Sequence, residues 1–453
     1  DEPLQVIREN AEITIEILDW QVLERNELGQ RLSLFLETDR CKGFDISSAP
    51  LTRCFLAKVA PDNYEFIWTF HHLILDGWSI PLVLRDFFVA YNQLSTGSEP
   101  VTTLKNPRPY RDYIAWLQQQ PEEKGYWQDT LRGFSNPTPL GVDLAPRDLG
   151  DKNGAVYKET SFKMSTSVTE GLEAFTRQQQ LTMNTLVLGA WALLLSRYCG
   201  HKDIVIGATV SGRSPDLSDA NDMVGMFVNT LPVRIKIEDD SDVVGWLRRL
   251  QAQLVEARQY EHSSLVQVHG WSDVPRGVPL FDSIVSFQNQ PIAEVLRTIE
   301  FGPEVNSFVA HHTRTTYPLT LVVEPDTELK LVMIYDNRRF TDSSLEQIFE
   351  HLQTLLTALT THCECTLSSL SIMSQVERNS VLGQMSPIQA SLAERSPCVH
   401  HLFEQQVEKS PDSIALVVQK QRLSYRELNI RANQLAHYLM EQGVGPEKVV
   451  AIC

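Results

Sequence analysis

Two periodicities of apolar residues alternate along this chain and divide it into strands and helices. Residues 64–70, Tyr-Glu-Phe-Ile-Trp-Thr-Phe, are rich in aromatic and β-branched side chains and fit a pleated, largely buried strand. Alternation along a strand sets Phe66, Trp68, Phe70 and then His72 on one face, with Ile67, Thr69 and His71 on the other. Just downstream Ile80, Val83, Leu84, Phe87, Phe88, Tyr91 and Leu94 recur at helical spacing, with Ser79 as the expected N-cap and Pro81 in the first turn. Between the two, Asp76-Gly77 supplies a turn dipeptide. Upstream, alternating segments at 12–17 and 51–59 predict strands, with a helix over 24–36.

The second half repeats these patterns. After a Pro-, Gly- and Asp-rich connection at 133–155 come an alternating segment at 157–162 and a polar helix over 167–179. Residues 185–198 are apolar nearly all round, so they predict a fully buried helix, ended by Gly200. Strands are expected at 203–210, 224–234, 281–289, 317–323 and 329–335, and helices over 243–259 and 343–359. Strands and helices in both halves give an α+β fold of layered units.

Composition narrows the function. A chain of 453 residues holds two or three compact units, and 42% hydrophobic residues suit a globular protein. A net charge of -17 without a basic stripe argues against nucleic acid as a partner. No apolar run approaches the length of a membrane span and no signal-type segment opens the chain, so a soluble cytoplasmic protein without a membrane partner is expected. Seven cysteines are scattered without a framework, and the Cys363-Glu364-Cys365 pair lacks a second pair at zinc spacing. The polar, proline-containing stretch 374–398 reads as a linker. The chain begins with Asp1 and ends at Cys453 inside an apolar run, as if cut from something longer.

Chemistry concentrates at His71-His72-Leu73-Ile74-Leu75-Asp76-Gly77-Trp78-Ser79. Adjacent strand residues point apart and cannot easily converge on one ion, so no metal is expected there. His71 suits a structural role at the turn. His72 is the better candidate base, although a lone histidine at such a place is more often a satisfied core residue. Arg213, at the end of the 203–210 strand, carries a fork suited to a buried carboxylate.

The run from His71 to Gly77 resembles the HHxxxDG signature of condensation domains from nonribosomal peptide synthetases. Further segments resemble that family in the same order: Gly43-Phe44-Asp45-Ile46 with Leu51-Thr52-Arg53, Tyr110-Arg111-Asp112-Tyr113-Ile114-Ala115-Trp116-Leu117-Gln118, and Val224-Gly225-Met226-Phe227-Val228-Asn229-Thr230 through Arg234. His262-Ser263-Ser264-Leu265-Val266-Gln267 matches the family's HxxxPFE only loosely, which leaves His262 without an assigned role. Leu423-Ser424-Tyr425-Arg426-Glu427-Leu428 resembles the LTYxEL segment of adenylation domains.

The resemblance implies two chloramphenicol-acetyltransferase-like subdomains in a V-shaped pseudo-dimer with a central channel. The first spans 1–140 and is incomplete at its start, the second 141–372, followed by a linker at 373–397 and an adenylation-domain fragment at 398–453. It implies amide bond formation between an acyl or peptidyl thioester donor and an aminoacyl acceptor. Both would arrive on the phosphopantetheine arms of carrier domains, with an adjoining adenylation domain as a further partner and no cofactor or metal bound by the chain itself. His72 and the Gly77 backbone would be catalytic, His71 and an Asp76–Arg213 ion pair structural, and Trp78, Ser79 and Asn289 channel lining. A carrier-docking scaffold without catalysis is the alternative. Epimerisation domains carry a glutamate where this chain has Thr209-Val210-Ser211-Gly212-Arg213, and neither heterocyclisation domains nor plant-type acyltransferases match its motifs.

Overall fold

The computed structural model describes residues 4–97, 106–142, 157–288, 315–384 and 399–450, apart from positions 9, 23, 362–363, 419–420, 446–447 and 449. It separates into two compact units, Asp1–Ser374 and Gln375–Cys453. Asn289, Cys363 and the connection at 143–156 lie outside the described residues.

The first unit holds two sheets. β1 (Ile15–Asp19), β2 (Thr52–Ala60) and β3 (Asn63–Phe70) form a three-stranded sheet, with β1 parallel and β3 antiparallel to β2. The helix Arg25–Lys42 covers one face, where Phe55, Ala57 and Ile67 are buried with Trp20 against Leu28, Leu32 and Phe35. Ile67 carries the core, whereas Phe66 remains 39% exposed and stacks on Phe87 of the helix Ser79–Ser95 at 5.4 Å. β3 also stops at Phe70, so strand alternation does not reach His72, which lies in the following turn. His71 N–H closes the strand by donating to Leu51 O at 2.9 Å.

The six-stranded sheet has the order β4-β9-β8-β7-β5-β6. Its strands are β4 (Tyr157–Lys163), β5 (Asp203–Val210), β6 (Asn229–Lys236), β7 (Ser283–Phe287), β8 (Leu319–Glu324) and β9 (Lys330–Asp336). β7 runs parallel to both β5 and β8, and the other pairings are antiparallel. One face carries the helix Met183–Cys199, buried on every side from Thr185 to Ser196 between the sheet and the helices Val243–Ala257 and Asp342–Thr361. A helix apolar all round is stable only in such a position. Its left-handed cap is Gly200, as its lack of a Cβ favours.

The other face buries Trp127, Leu131 and Phe134 against Val205, Leu231, Phe281 and Ile284. The helix Lys124–Leu131 therefore packs on the six-stranded sheet although it precedes it in sequence. Residues 224–228, expected within a strand, form a loop instead, and β6 begins only at Asn229.

In the second unit β10 (Ile414–Val418) pairs antiparallel with β11 (Gln421–Ser424), and Ser424 and Glu427 close a capping box on the helix Tyr425–Glu441. The stretch expected to be a linker starts as a helix, Gln375–Gln384. No helix among the described residues is long and apolar enough to cross a membrane.

Trp127 is fully buried and donates through Nε1 to Ser263 Oγ at 2.8 Å. Trp127→Ala is expected to cost about 3–5 kcal/mol through cavity formation, read from the midpoint and slope of urea unfolding.

Candidate active site

The turn after β3 is built around Asp76, which is fully buried. An ionised carboxylate is tolerated there only if its lone pairs are filled. Oδ1 accepts from Ser79 N at 2.8 Å, Ser79 Oγ at 2.8 Å and Arg213 Nη2 at 3.1 Å. Oδ2 accepts from Phe227 N at 3.1 Å. The donors come from three segments: the start of the helix Ser79–Ser95, the end of β5, and the loop before β6.

The structure thus brings Asp76 and Arg213 together, with their side chains 0% and 3% exposed. Arg213 also donates through Nη1 to Ala220 O and to Met223 O at 2.8 Å, and its guanidinium lies 4.2 Å over the Phe227 ring. Gly212 makes the approach possible. Its φ is +65°, and a Cβ there would fall 1.9 Å from Phe227 O, so only glycine fits.

Ser79 is a correction. It was expected to cap its helix and to line a channel, but it is the first helical residue, with Trp78 at the cap position and no side-chain cap. Its 0% exposed hydroxyl donates within the Asp76 network and reaches Gly225 O at 2.9 Å, while Gly225 N donates back to it at 3.1 Å. Asp76 satisfies the helix N-terminus in its place. Trp78 and Gly77 are half-buried, and the Gly77 N–H meets no acceptor among the described residues.

The two histidines differ. His71 Nδ1 accepts from Leu73 N at 3.1 Å, and its ring meets Phe44 edge-on at 6.0 Å, which locks the turn. His72 is half-buried, and its Nδ1 stands 3.2 Å from Met226 Sδ. Met226 is held in turn by Tyr110, whose hydroxyl donates to Met226 O at 2.6 Å and whose acidity burial suppresses.

Glu261 was not anticipated, because nothing in its local sequence marks it. It accepts the Gly212 N–H at 3.0 Å, directly beside the Arg213 clamp. Asn229 Nδ2 fixes this turn by donating to Glu261 O and Ser263 O at 2.9 and 2.7 Å. Burial pushes the Glu261 carboxyl above its usual range, against the lowering effect of Gly212, Arg258 and Ser211. The neighbouring His262 presents its ring to Trp116 at 6.1 Å, with Nε2 buried and unpaired among the described residues. No group of three or more His, Cys, Asp or Glu side chains among the described residues is arranged to hold a metal ion.

Two tests follow from this geometry. Asp76→Asn leaves Arg213 buried without its countercharge and is expected to cost about 3–5 kcal/mol, whereas Asp76→Leu combined with Arg213→Met recovers most of that loss in urea unfolding. A carboxyl raised by burial supports the fold while protonated and opposes it once ionised, so its contribution is lost as pH rises through the raised value. Glu261→Gln, which cannot ionise, is expected to melt above the wild type near neutral pH. That difference should vanish below the usual carboxylate range, and a constant difference at all pH values would contradict it.

Residues 1–382 match the condensation-domain family and residues 403–453 the AMP-binding enzyme family. Linear gramicidin synthase subunits D and B of Brevibacillus parabrevis are 40% and 42% identical over all of this chain, which spans 9% of the length of each. Bacitracin synthase 3 of Bacillus licheniformis is 32% identical, again over the whole chain and over 7% of its own length. Among solved structures, a four-domain nonribosomal peptide synthetase bound to AMP and glycine superposes with a TM-score of 0.68 at 20% identity, over 96% of this chain and 33% of that one. The X-domain from teicoplanin biosynthesis gives 0.66 at 20% identity, over 82% of this chain and 83% of its own. These two likenesses are of fold. With the family match running over residues 1–382 and relatives similar along all of it, the chain belongs to the condensation-domain family of nonribosomal peptide synthetases and continues into the start of an AMP-binding domain.

Proposed function

We propose that this chain joins a carrier-bound acyl or peptidyl thioester to a carrier-bound aminoacyl acceptor through an amide bond, and that His72 meets the attacking amine. Condensation domains of these synthetases are peptide-bond-forming domains of acyltransferase type, and the relatives share this whole region. One observation carries the assignment to His72: the turn that bears it is pinned by the buried Asp76–Arg213 pair, while His71 is consumed as its lock.

In the reaction the amine nitrogen of the acceptor attacks the donor's thioester carbonyl. The C–N bond forms, the C–S bond breaks, the nitrogen loses a proton, and the donor arm leaves as a thiol that gains one. A neutral imidazole within about 2.6–3.2 Å of the amine can hold it or take its proton. Much of the acceleration comes from holding two already reactive groups in line. The Gly77 N–H is the proposed donor to the developing oxyanion, with Trp78 beside the arm. Asn289 is proposed as lining on the sequence resemblance alone.

Phosphopantetheine arms would bring both substrates from an upstream donor carrier and a downstream acceptor carrier, in the cytoplasm. The chain would then act as two condensation subdomains, 1–140 and 141–372, joined through 373–397 to an adenylation domain beginning at 398. His72→Ala in the full-length synthetase is expected to slow single-turnover formation of the dipeptidyl thioester by at least about a hundredfold while leaving carrier loading unchanged. Wild-type turnover in that variant would instead make the chain a carrier-docking scaffold at this position.

A further inference from the structure

We infer that Met226 is a positioning residue for His72, whose thioether accepts the Nδ1 proton and so leaves Nε2 as the bare nitrogen presented to the amine. The inference rests on the reading that His72 meets the amine and adds which face of the ring does so.

His72 Nδ1 and Met226 Sδ stand 3.2 Å apart. A thioether has no proton to give, so this pair makes a hydrogen bond only when the proton sits on Nδ1. In the neutral ring Nε2 then carries the lone pair. His71 shows the opposite arrangement. Its Nδ1 accepts the Leu73 N–H at 3.1 Å, so its neutral ring must be protonated at Nε2. Two adjacent imidazoles are thereby held in opposite tautomers, and each is set by the partner of its Nδ1.

A flexible methionine would set nothing unless its backbone were fixed. Here it is fixed from both sides. Gly225 O accepts from Asp76 N at 3.0 Å, and Phe227 N donates to Asp76 Oδ2 at 3.1 Å. Tyr110 Oη donates to the carbonyl of Met226 itself at 2.6 Å. Gly225 allows this because a Cβ there would strike the Tyr110 ring at 2.1 Å. The histidine and the sulfur thus hang from one network, and movement of the turn carries both.

The choice of sulfur has a chemical consequence. A carboxylate in the same place would orient the ring but also stabilise its charged form. The thioether is uncharged and polarizable, so it selects the tautomer and leaves the imidazole free to accept a proton from the amine.

The test reads the tautomer directly, in the full chain labelled with ¹⁵N-histidine, by long-range proton–nitrogen correlation of the neutral rings. Loss of one signal set in His72→Gln assigns the ring. The wild type is expected to show a protonated Nδ1 and a bare Nε2 at His72. Met226→Leu keeps the bulk without the acceptor, and should move the proton toward Nε2 and lower kcat of amide formation roughly two- to tenfold, with KM for the acceptor carrier unchanged. Met226→Gln, whose amide oxygen restores an acceptor, should return both readouts toward wild type and separates the effect from a packing loss. A wild-type His72 protonated at Nε2, or a Met226→Leu spectrum identical to wild type, overturns the inference. Because the tautomer is seen without turnover, an active His72→Gln would remove the functional reading while leaving the Met226 contact standing.

Discussion

A carboxylate with no solvent contact organises this molecule. Moving such a charge from water costs several kcal/mol even after relaxation, and a single ion-pair partner rarely returns it all. Asp76 is therefore usable only because both of its oxygens are met by donors: Arg213 Nη2, the Ser79 hydroxyl and amide, and the Phe227 amide. Arg213 lies 137 residues further along the chain. What the pair contributes is register more than net stability, since any displacement of the three segments would strand a buried charge.

That register reaches the chemistry through short lengths of backbone. His72 lies four residues before Asp76, in a turn that His71 locks from within, so the imidazole inherits the rigidity of the pair. Opposite it, the loop 223–228 presents Met226 from between two residues that themselves bond to Asp76 or Ser79. Preorganisation of this kind favours a reaction in which amine and thioester are already competent and mainly need holding in place. Glu261 belongs to the same frame. Its buried carboxyl takes the Gly212 N–H next to the arginine and so opposes folding slightly in order to fix a turn, a local conflict of the sort expected at functional sites.

Much of this was legible from periodicity, and the rest failed for identifiable reasons. The 203–210 strand and the helix at 183–199 were readable because their burial forces continuous apolar composition. Alternation in 64–70 revealed two faces but not which one would be covered, because that depends on the helix Arg25–Lys42 arriving from elsewhere in sequence. Residues 224–228 read as a strand because Phe227 is apolar, yet it is buried together with the adjacent Met223 against the 111–117 helix rather than in a sheet. Ser79 carries an N-cap's composition, yet Asp76 supplies the acceptor and the hydroxyl turns inward. The ion pair was reachable only through family resemblance, since no local pattern links positions 76 and 213. Met226 and Glu261 had no signal at all, because each acts across distances that only the fold creates.

The two sheets contribute unequally, and this explains why the clamp sits where it does. The six-stranded sheet is packed on both faces, and the all-round burial of the helix at 183–199 makes it the rigid part of the unit. The three-stranded sheet has one small covered core, while Ile17 is 75% and Tyr64 49% exposed. By itself such a sheet would hold its terminal turn loosely. Yet His72 leaves from β3, on the weaker layer. Arg213 leaves from β5 and Phe227 from the loop before β6, on the stronger one, and both close on Asp76. The imidazole thus takes its chain connection from the weakly packed sheet and its position from the strongly packed one, and the buried carboxylate is where the second is imposed on the first.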